Sequence, residues 1–218
     1  MCSRYEAPTP ARLRDAFTLD IDAQEKLDLW PGYVGPFIRR PVDTDPDDEA
    51  APQLEALAGV FGLLPSWTKD PKKLARSTYN ARTETVATKN SYRVAWKEAK
   101  HCIIPAEAIY EPDWRTGVPI ATRISRKDGH LLGIAGLWEK WKNPAGETIH
   151  SFTMLTMNAE NHELMRNFHK PDDEKRSVVI LPQGLYNDWL SAPVEESLEF
   201  IQLYPADRLM AEARPIKR

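Results

Sequence analysis

The chain has 218 residues, 42% of them hydrophobic and 28% charged, which is the composition of a globular protein with one sizeable core. Its 29 basic and 32 acidic residues give a formal net charge of −3, which argues against non-specific coating of nucleic acid but not against a local basic groove. The sequence contains no run of roughly 20 apolar residues and no recognisable N-terminal signal, so we expect a cytoplasmic protein without a membrane span.

The first element in chain order is Cys2, which directly follows Met1. If Met1 is removed, Cys2 carries a free α-amine with a pKa of about 8 beside a thiol with a pKa of about 8.5. Such a 1,2-aminothiol can attack an amide carbonyl. It can also condense with an aldehyde, first to a Schiff base and then to a five-membered thiazolidine. The simpler alternative is a cysteine without function in a frayed terminus.

Thr9-Pro10 predicts an N-cap and the first residue of a helix whose core-facing residues are Leu13 and Phe17. Glycine–proline pairs within residues 31–36 then interrupt an extended segment that leads into Phe37-Ile38.

The rest of the chain alternates irregularly between two kinds of pattern. Apolar, strand-like runs lie at Ala58–Leu64, Cys102–Tyr110, Pro119–Ile124, Leu131–Trp138, Phe152–Met157 and Val178–Leu181. Helix-like patterns lie at Thr83–Ser91, Asn161–Phe168, Leu185–Leu190 and Val194–Gln202. Because strands follow one another without a regular βαβ alternation, we predict an α+β fold. It is a single domain over residues 1–218, with a curved, mostly antiparallel, barrel-like sheet flanked by helices.

A polar segment, Tyr79 to Thr85, leads into the first of these helix-like patterns. Thr83 is placed to cap the helix. An amide at Asn80 can orient a nucleophile, and the guanidinium of Arg82 can bind phosphate. An ordinary loop leading into a helix explains the segment equally well.

Two further residues suit proton transfer. Glu111 ends a strand-like run before Pro112 and can act as a general acid or base, although a solvent-facing carboxylate is the simpler interpretation. His169 follows a helix-like pattern, at whose end protonated imidazole is favoured. His162 competes for the same role, and nothing local separates the two histidines.

Aromatic and basic residues are interleaved around Trp67, as is typical of surfaces that bind single-stranded nucleic acid. Arg39 and Arg40 lie upstream, and several lysines follow. Core packing accounts for Phe61 at least as well, so Trp67 is the better candidate for an exposed platform.

The sequence predicts neither a metal site nor a cofactor. The five histidines show no ligand spacing, and Cys2 and Cys102 form no paired motif. Phosphate-binding glycine loops and the nucleophile elbow of hydrolases are missing as well.

The order of these motifs resembles that of the SRAP family, the SOS-response-associated peptidase-like proteins. Met1 to Tyr5 is similar to the family's M-C-G-R-[FY] start, and residues 61–67 to its W-G-L-[IV]-P-x-W. Asn80 to Thr85 matches N-A-R-x-E-T. The remaining similarities are Tyr33 to Pro36, Ile104 to Glu111, and Leu155 through His169 to Leu181. Together they cover about residues 1–190, and Ser3, Ala108 and Pro112 depart from the family pattern.

The resemblance implies a protein that recognises abasic sites in single-stranded DNA and crosslinks to the ring-opened sugar aldehyde. It implies crosslinking through Cys2 after self-processing or aminopeptidase removal of Met1, together with possible lyase activity. It gives roles to five further residues: Asn80 positions the α-amine, Arg82 holds phosphate, Glu111 moves protons, His169 assists ring opening and crosslink reversal, and Arg4 contacts DNA. We expect a monomer that associates with the bacterial nucleoid when bound to DNA.

Two other functions stay open at this point. One is an N-terminal-nucleophile amidohydrolase or cysteine peptidase that uses Cys2 on external substrates. The other is a non-catalytic DNA-binding module in which Cys2 is incidental.

Overall fold

The computed structural model describes residues 2–22, 26–42 and 53–214. Its strands are, in chain order, Tyr5–Glu6 (β1), Asp28–Leu29 (β2), Val34–Arg39 (β3), Glu55–Phe61 (β4), Asn80–Arg82 (β5), His101–Ala106 (β6), Ala108–Asp113 (β7), Ile120–Arg126 (β8), Leu132–Lys142 (β9), Thr148–Asn158 (β10), Arg176–Val178 (β11), Ile180–Leu181 (β12) and Leu209–Ala213 (β13). The helices are Pro10–Phe17 (α1), Pro71–Ala75 (α2), Arg93–Lys97 (α3) and Tyr186–Ser191 (α4). Short 3-10 turns cover Met165–Asn167, Gln183–Leu185, Val194–Phe200 and Ala206–Arg208.

Five strands close into a barrel in the order β10-β4-β3-β6-β9 and back to β10. Two further strands, β5 and β11, pair with β10, and β12 pairs with β9. A second sheet has the order β13-β8-β7-β1-β2. Among the described pairings only those of β10 with β4 and with β5 are parallel. The predicted α+β class with a mostly antiparallel, barrel-like sheet is confirmed.

Strand β6 shows why the barrel is stable. The alternate residues Cys102 and Ile104 join one buried cluster, which includes Phe37, Phe61 and Phe152, whereas Ile103 joins a second cluster around Trp189. Both faces of the strand are therefore buried, which is why the sequence there is an apolar run rather than an alternation of polar and apolar residues.

The first helix is confirmed. The hydroxyl of Thr9 accepts a hydrogen bond from the Arg12 N–H at 3.3 Å, proline occupies the first turn, and Leu13 is fully buried. Such caps stabilise a helix by about 1 kcal/mol.

Five predicted elements differ in the structure. The run Val178–Leu181 belongs to two strands, β11 and β12, which pair with β10 and β9, and the helix-like pattern Val194–Gln202 is a 3-10 helix over Val194–Phe200. The single strand predicted over Cys102–Tyr110 is two strands, β6 and β7, which belong to different sheets and are separated by Glu107. The predicted helix at Thr83–Ser91 is wrong, because this segment forms a series of turns and the helix begins only at Arg93. The predicted helix at Asn161–Phe168 is also wrong, since only Met165–Asn167 is helical, in a 3-10 turn.

Within the described ranges, no helix is long and apolar enough to cross a membrane.

Candidate active site

Cys2 lies three residues before β1 and is buried, with 1% of its surface exposed. Its thiol donates a hydrogen bond to the Arg4 carbonyl at 3.4 Å. Burial raises the pKa of this thiol well above its usual range, and the charge of Glu111 adds to the effect. The Cys2 thiol is therefore protonated at neutral pH, and a base must remove its proton when sulfur forms a bond.

Asn80 fixes the backbone of Cys2. It lies on β5, which pairs with β10 so that Asn80 is opposite Met154. Its side-chain Nδ2 donates to the Cys2 carbonyl at 2.7 Å, and its own backbone carbonyl accepts from the Tyr92 hydroxyl at 2.9 Å. The buried Oδ1 of Asn80 has no hydrogen-bond partner among the described residues, so it is an acceptor held beside Cys2.

Glu111 and His169 form a buried pair. Nε2 of His169 lies 3.1 Å from Oε2 of Glu111, and the two side chains are 9% and 1% exposed, respectively. Glu111 lies within β7 rather than at its end. Since β7 pairs with β1 through Tyr5–Ile109, the two strands carry Glu111 toward the segment that contains Cys2.

His169 is placed by its backbone and not by a helix. Its N–H donates to the Pro112 carbonyl at 3.0 Å, and the preceding Phe168 forms a β-bridge with Asp113. Its φ of 69° lies in the left-handed region, which is uncommon for a residue other than glycine and is typical of functional sites. The predicted helix end before His169 is wrong, because a 3-10 turn ends there instead.

The structure distinguishes His162 from His169 by their contacts. Nε2 of His162 lies 2.7 Å from the Tyr204 carbonyl, and its Nδ1 accepts the N–H groups of Leu164 and Met165 at 3.1 and 3.0 Å. His162 therefore holds a chain turn together, whereas His169 faces Glu111.

The two arginines expected near DNA are both paired with carboxylates. Arg4 binds Asp28 through two hydrogen bonds of 2.8 and 3.0 Å, and its guanidinium lies 4.0 Å from the Tyr110 ring centroid. Arg82 lies on β5, two residues after Asn80, and its Nη1 is 2.7 Å from Glu174. The prediction that Thr83 caps a helix is wrong, because its hydroxyl donates to a carbonyl of β10.

The other predicted DNA contacts have different environments. Trp67 is half-exposed in a turn after Pro65, as a stacking platform requires. Arg40 is exposed at the end of β3. Arg39 is buried, with its Nε donating to Glu55 at 2.7 Å and its guanidinium 3.9 Å from the Trp138 ring centroid, so the prediction that it contacts DNA is wrong.

Sequence reasoning missed two tyrosines. Tyr79 packs edge-on against Phe61. Burial raises the pKa of Tyr79, and the charges of Cys2 and Glu111 add to this effect, so Tyr79 lies near these two residues. Tyr79 opens the polar segment singled out in the sequence, but no role was predicted for it. The hydroxyl of Tyr92 donates a hydrogen bond to the backbone carbonyl of Asn80, 12 residues earlier in the chain, and no local sequence pattern indicates that contact.

The arrangement can therefore support addition of Cys2 to a carbonyl compound. Asn80 fixes the nucleophile's backbone, and Glu111 with His169 can give and take protons in a buried site. In the described part of the chain, no three His, Cys, Asp or Glu side chains are grouped as metal ligands.

The chain matches the sequence model of SRAP, the SOS response associated peptidase family, over residues 1–218. It is 36% identical over 152 residues to the abasic site processing protein YoqW of Bacillus subtilis, a match that covers 67% of this chain and 62% of YoqW. It is 28% identical over 173 residues to the abasic site processing protein HMCES of Gallus gallus, covering 68% of this chain and 49% of that protein. The chain thus spans about half to two thirds of the length of these relatives.

Solved structures share the fold. A protein from Bordetella bronchiseptica is 47% identical, with a TM-score of 0.87 and coverage of 99% of this chain and 100% of that one. A protein from Bacteroides thetaiotaomicron has a TM-score of 0.79 at 20% identity, covering 97% of this chain and 91% of that one, and this similarity concerns the fold alone. With the family match over its whole length, the chain belongs to the SRAP family.

Proposed function

We propose that this protein recognises abasic sites in single-stranded DNA and forms a covalent crosslink with them through Cys2, after Met1 has been removed. The observation that carries the proposal is that the buried Cys2 is held by Asn80 and feels the charge of Glu111, which is itself paired with His169. The relatives named abasic site processing proteins support the choice of substrate.

The reaction uses both groups of Cys2. The ring-opened sugar of an abasic site carries an aldehyde, and the neutral α-amine attacks its carbon to form a carbinolamine. Protonation of the hydroxyl lets it leave as water, so a C–N bond forms while the C–O bond breaks. The thiol then adds to the carbon of the protonated imine, a C–S bond forms while the C=N double bond becomes single, and the thiol proton passes to the carboxylate left by the dehydration step. No oxidant or reductant is consumed.

Each residue of the cluster has a step that suits its position. Asn80, which already holds the Cys2 carbonyl, positions the α-amine. Glu111 supplies the proton for the departing water and receives the thiol proton, which the raised pKa of Cys2 keeps in place until then. His169 assists ring opening of the sugar and reversal of the crosslink.

Selectivity for abasic sites follows from the aldehyde that the lesion carries. Intact DNA has no aldehyde, so only the lesion can react. Arg82, Arg4 and the exposed Trp67 hold the strand by phosphate contact and stacking, and the exposed Arg40 extends this basic surface, whereas the buried Arg39 does not. The loss of Met1, by self-processing or by an aminopeptidase, is a required step in this proposal.

The test is a denaturing gel of the protein incubated with single-stranded DNA containing one abasic site. We expect a covalent shift with the wild type, none with Cys2→Ala, and an undiminished shift with the matched control Cys102→Ala, which removes the other buried cysteine. A Cys2→Ala protein that still shifts, or a wild type that does not, contradicts the proposal. Hydrolysis of a peptide or amide substrate without a DNA shift would favour the peptidase alternative.

A further inference from the structure

In the structure, the carboxylate of Glu174 forms an ion pair with the guanidinium of Arg82. Nη1 of Arg82 lies 2.7 Å from Oε2 of Glu174, and both side chains are accessible, at 45% and 35% exposure. A carboxylate and a phosphate present similar oxygen acceptors to a guanidinium. The position at which Arg82 would bind a DNA phosphate is thus taken by a carboxylate of the same chain.

A second cation holds Glu174 more firmly. Its Oε1 accepts from Nη1 of Arg176 at 2.6 Å, and Arg176 is only 2% exposed. Arg176 is anchored in turn by Glu84 at 2.9 Å and by the Thr156 carbonyl at 2.7 Å. Glu174 therefore keeps a buried cationic partner when Arg82 leaves, so the exposed Arg82 pair is the one that can exchange.

The segment after His169 presents Glu174 from a closed loop. The ammonium group of Lys175 donates to the carbonyls of Lys170 and Pro171, and the Asp173 N–H donates to the Lys170 carbonyl at 3.1 Å. The neighbouring Asp172 makes no hydrogen bond or ion pair within the described ranges. Of these loop acids, Glu174 is thus the one aimed at Arg82.

We propose that Glu174 is an internal competitor for Arg82, whose carboxylate a DNA phosphate must displace before the strand can bind. The proposal rests on the proposed function, because it takes Arg82 as a ligand of the DNA backbone. The competition lowers affinity for every strand alike, and so keeps the protein from being held on undamaged DNA. Covalent capture at a lesion does not depend on tight binding and is preserved.

The test measures the Kd of Glu174→Gln for an intact single-stranded oligonucleotide, which has no aldehyde and cannot crosslink, by fluorescence anisotropy. We expect binding about two- to fivefold tighter than that of the wild type, the range that an exposed ion pair accounts for. The matched control is Asp172→Asn, which removes the same charge from the same loop without breaking a pair and should change Kd much less. Arg176 retains Glu84 in the Glu174→Gln variant, which should therefore fold, as circular dichroism would verify.

A double-mutant cycle with Arg82→Gln isolates the competition. In that background we expect Glu174→Gln to bring no further gain beyond that of Asp172→Asn. An equal gain from the two acid substitutions, or a gain that persists without Arg82, overturns the inference. Crosslinking by the wild type is scored separately. If the wild type crosslinks abasic DNA while Glu174→Gln binds no more tightly, this inference alone fails, whereas a wild type that does not crosslink contradicts the proposed function.

Discussion

The imidazole of His169 and the carboxylate of Glu111 lie 3.1 Å apart and almost entirely out of solvent, although the two residues come from different segments of the chain. The left-handed backbone of His169 and its hydrogen bond to Pro112 hold the ring there. The charge of Glu111 also raises the pKa of the Cys2 thiol, so the carboxylate lies in the surroundings of Cys2.

Glu111→Gln should slow crosslinking by about 10²-fold or more, because the amide cannot exchange the protons of the dehydration and ring-closure steps. Affinity for intact single-stranded DNA should stay nearly unchanged. Single-turnover gel kinetics and anisotropy measure the two quantities. Glu107→Gln is the control, since Glu107 is paired with Arg12 and should not affect the rate. Equal rates for Glu111→Gln and wild type would remove Glu111 from the mechanism.

Asn80→Ala should slow crosslinking and lower the free energy of unfolding by about 1–2 kcal/mol, because the Cys2 carbonyl loses its buried donor. Tyr92→Phe, which removes only the hydroxyl bound to the Asn80 backbone, should have a smaller effect on the rate. Urea unfolding and gel kinetics provide both readouts. An Asn80→Ala protein that crosslinks at the wild-type rate would show that this contact is structural only.

The Cys2 thiol should resist alkylation in the native protein. Its raised pKa means that the thiolate fraction at pH 7–8 is smaller than that of a free cysteine, and only the thiolate reacts. Iodoacetamide labelling followed by peptide mass mapping should show slow modification of Cys2 in buffer and fast modification in urea. The native rate should rise at alkaline pH. Rapid native labelling at pH 7 would contradict the burial described for Cys2.

His101 should make the protein less stable in mild acid. Burial against Trp189, at 3.9 Å between ring centroids, lowers the pKa of His101 to about 4 from a usual value of about 6.5. The unfolded chain therefore takes up this proton as pH falls below about 6.5, while the native state does not until about 4. The stabilisation from neutral His101 is fully present above about pH 6.5 and is lost as the pH falls toward 4. At pH 5 the free energy of unfolding should therefore be lower by about 2 kcal/mol. Urea unfolding at pH 7.5 and pH 5 should show this loss, and His101→Gln should abolish most of it.

Gly62→Ala should destabilise the fold by about 2–4 kcal/mol. Gly62 has a φ of +129°, and an added Cβ would overlap the backbone of Ala75. The control, Gly146→Ala, also has a positive φ, of +86°, but meets nothing within 4 Å, so it should cost only about 1 kcal/mol. Similar thermal shifts for both variants would refute the packing argument.

The sequence was sufficient for the approximate positions of the barrel strands, because an apolar run is a local pattern. It failed where distant contacts override local preference. The ring of His162 binds the N–H groups of Leu164 and Met165 and is itself held by Tyr204, 42 residues away, so the predicted helix does not form. Likewise β1, two residues long, depends on pairing with β2 and β7, and β13, five residues long, depends on pairing with β8.

In the candidate site, too, local sequence indicated some residues, whereas contacts between distant segments could not be predicted. Asn80, Glu111 and His169 were recognisable as residue types in a known order, but the ion pairs that hold Arg4 and Arg82 were not. Asp28 and Glu174 are acidic residues in segments without a distinctive motif, and only the folded chain brings them to these arginines.

The most direct test of the central claim is the mass of the covalent product. The purified protein is incubated with an abasic oligonucleotide, digested, and the modified peptide is sequenced by mass spectrometry. We expect a peptide that begins at Cys2, lacks Met1 and carries the sugar remnant with the loss of one water. This adduct should persist without borohydride reduction, because the thiazolidine ring is closed. A product that retains Met1, or that is attached at a lysine, would contradict it.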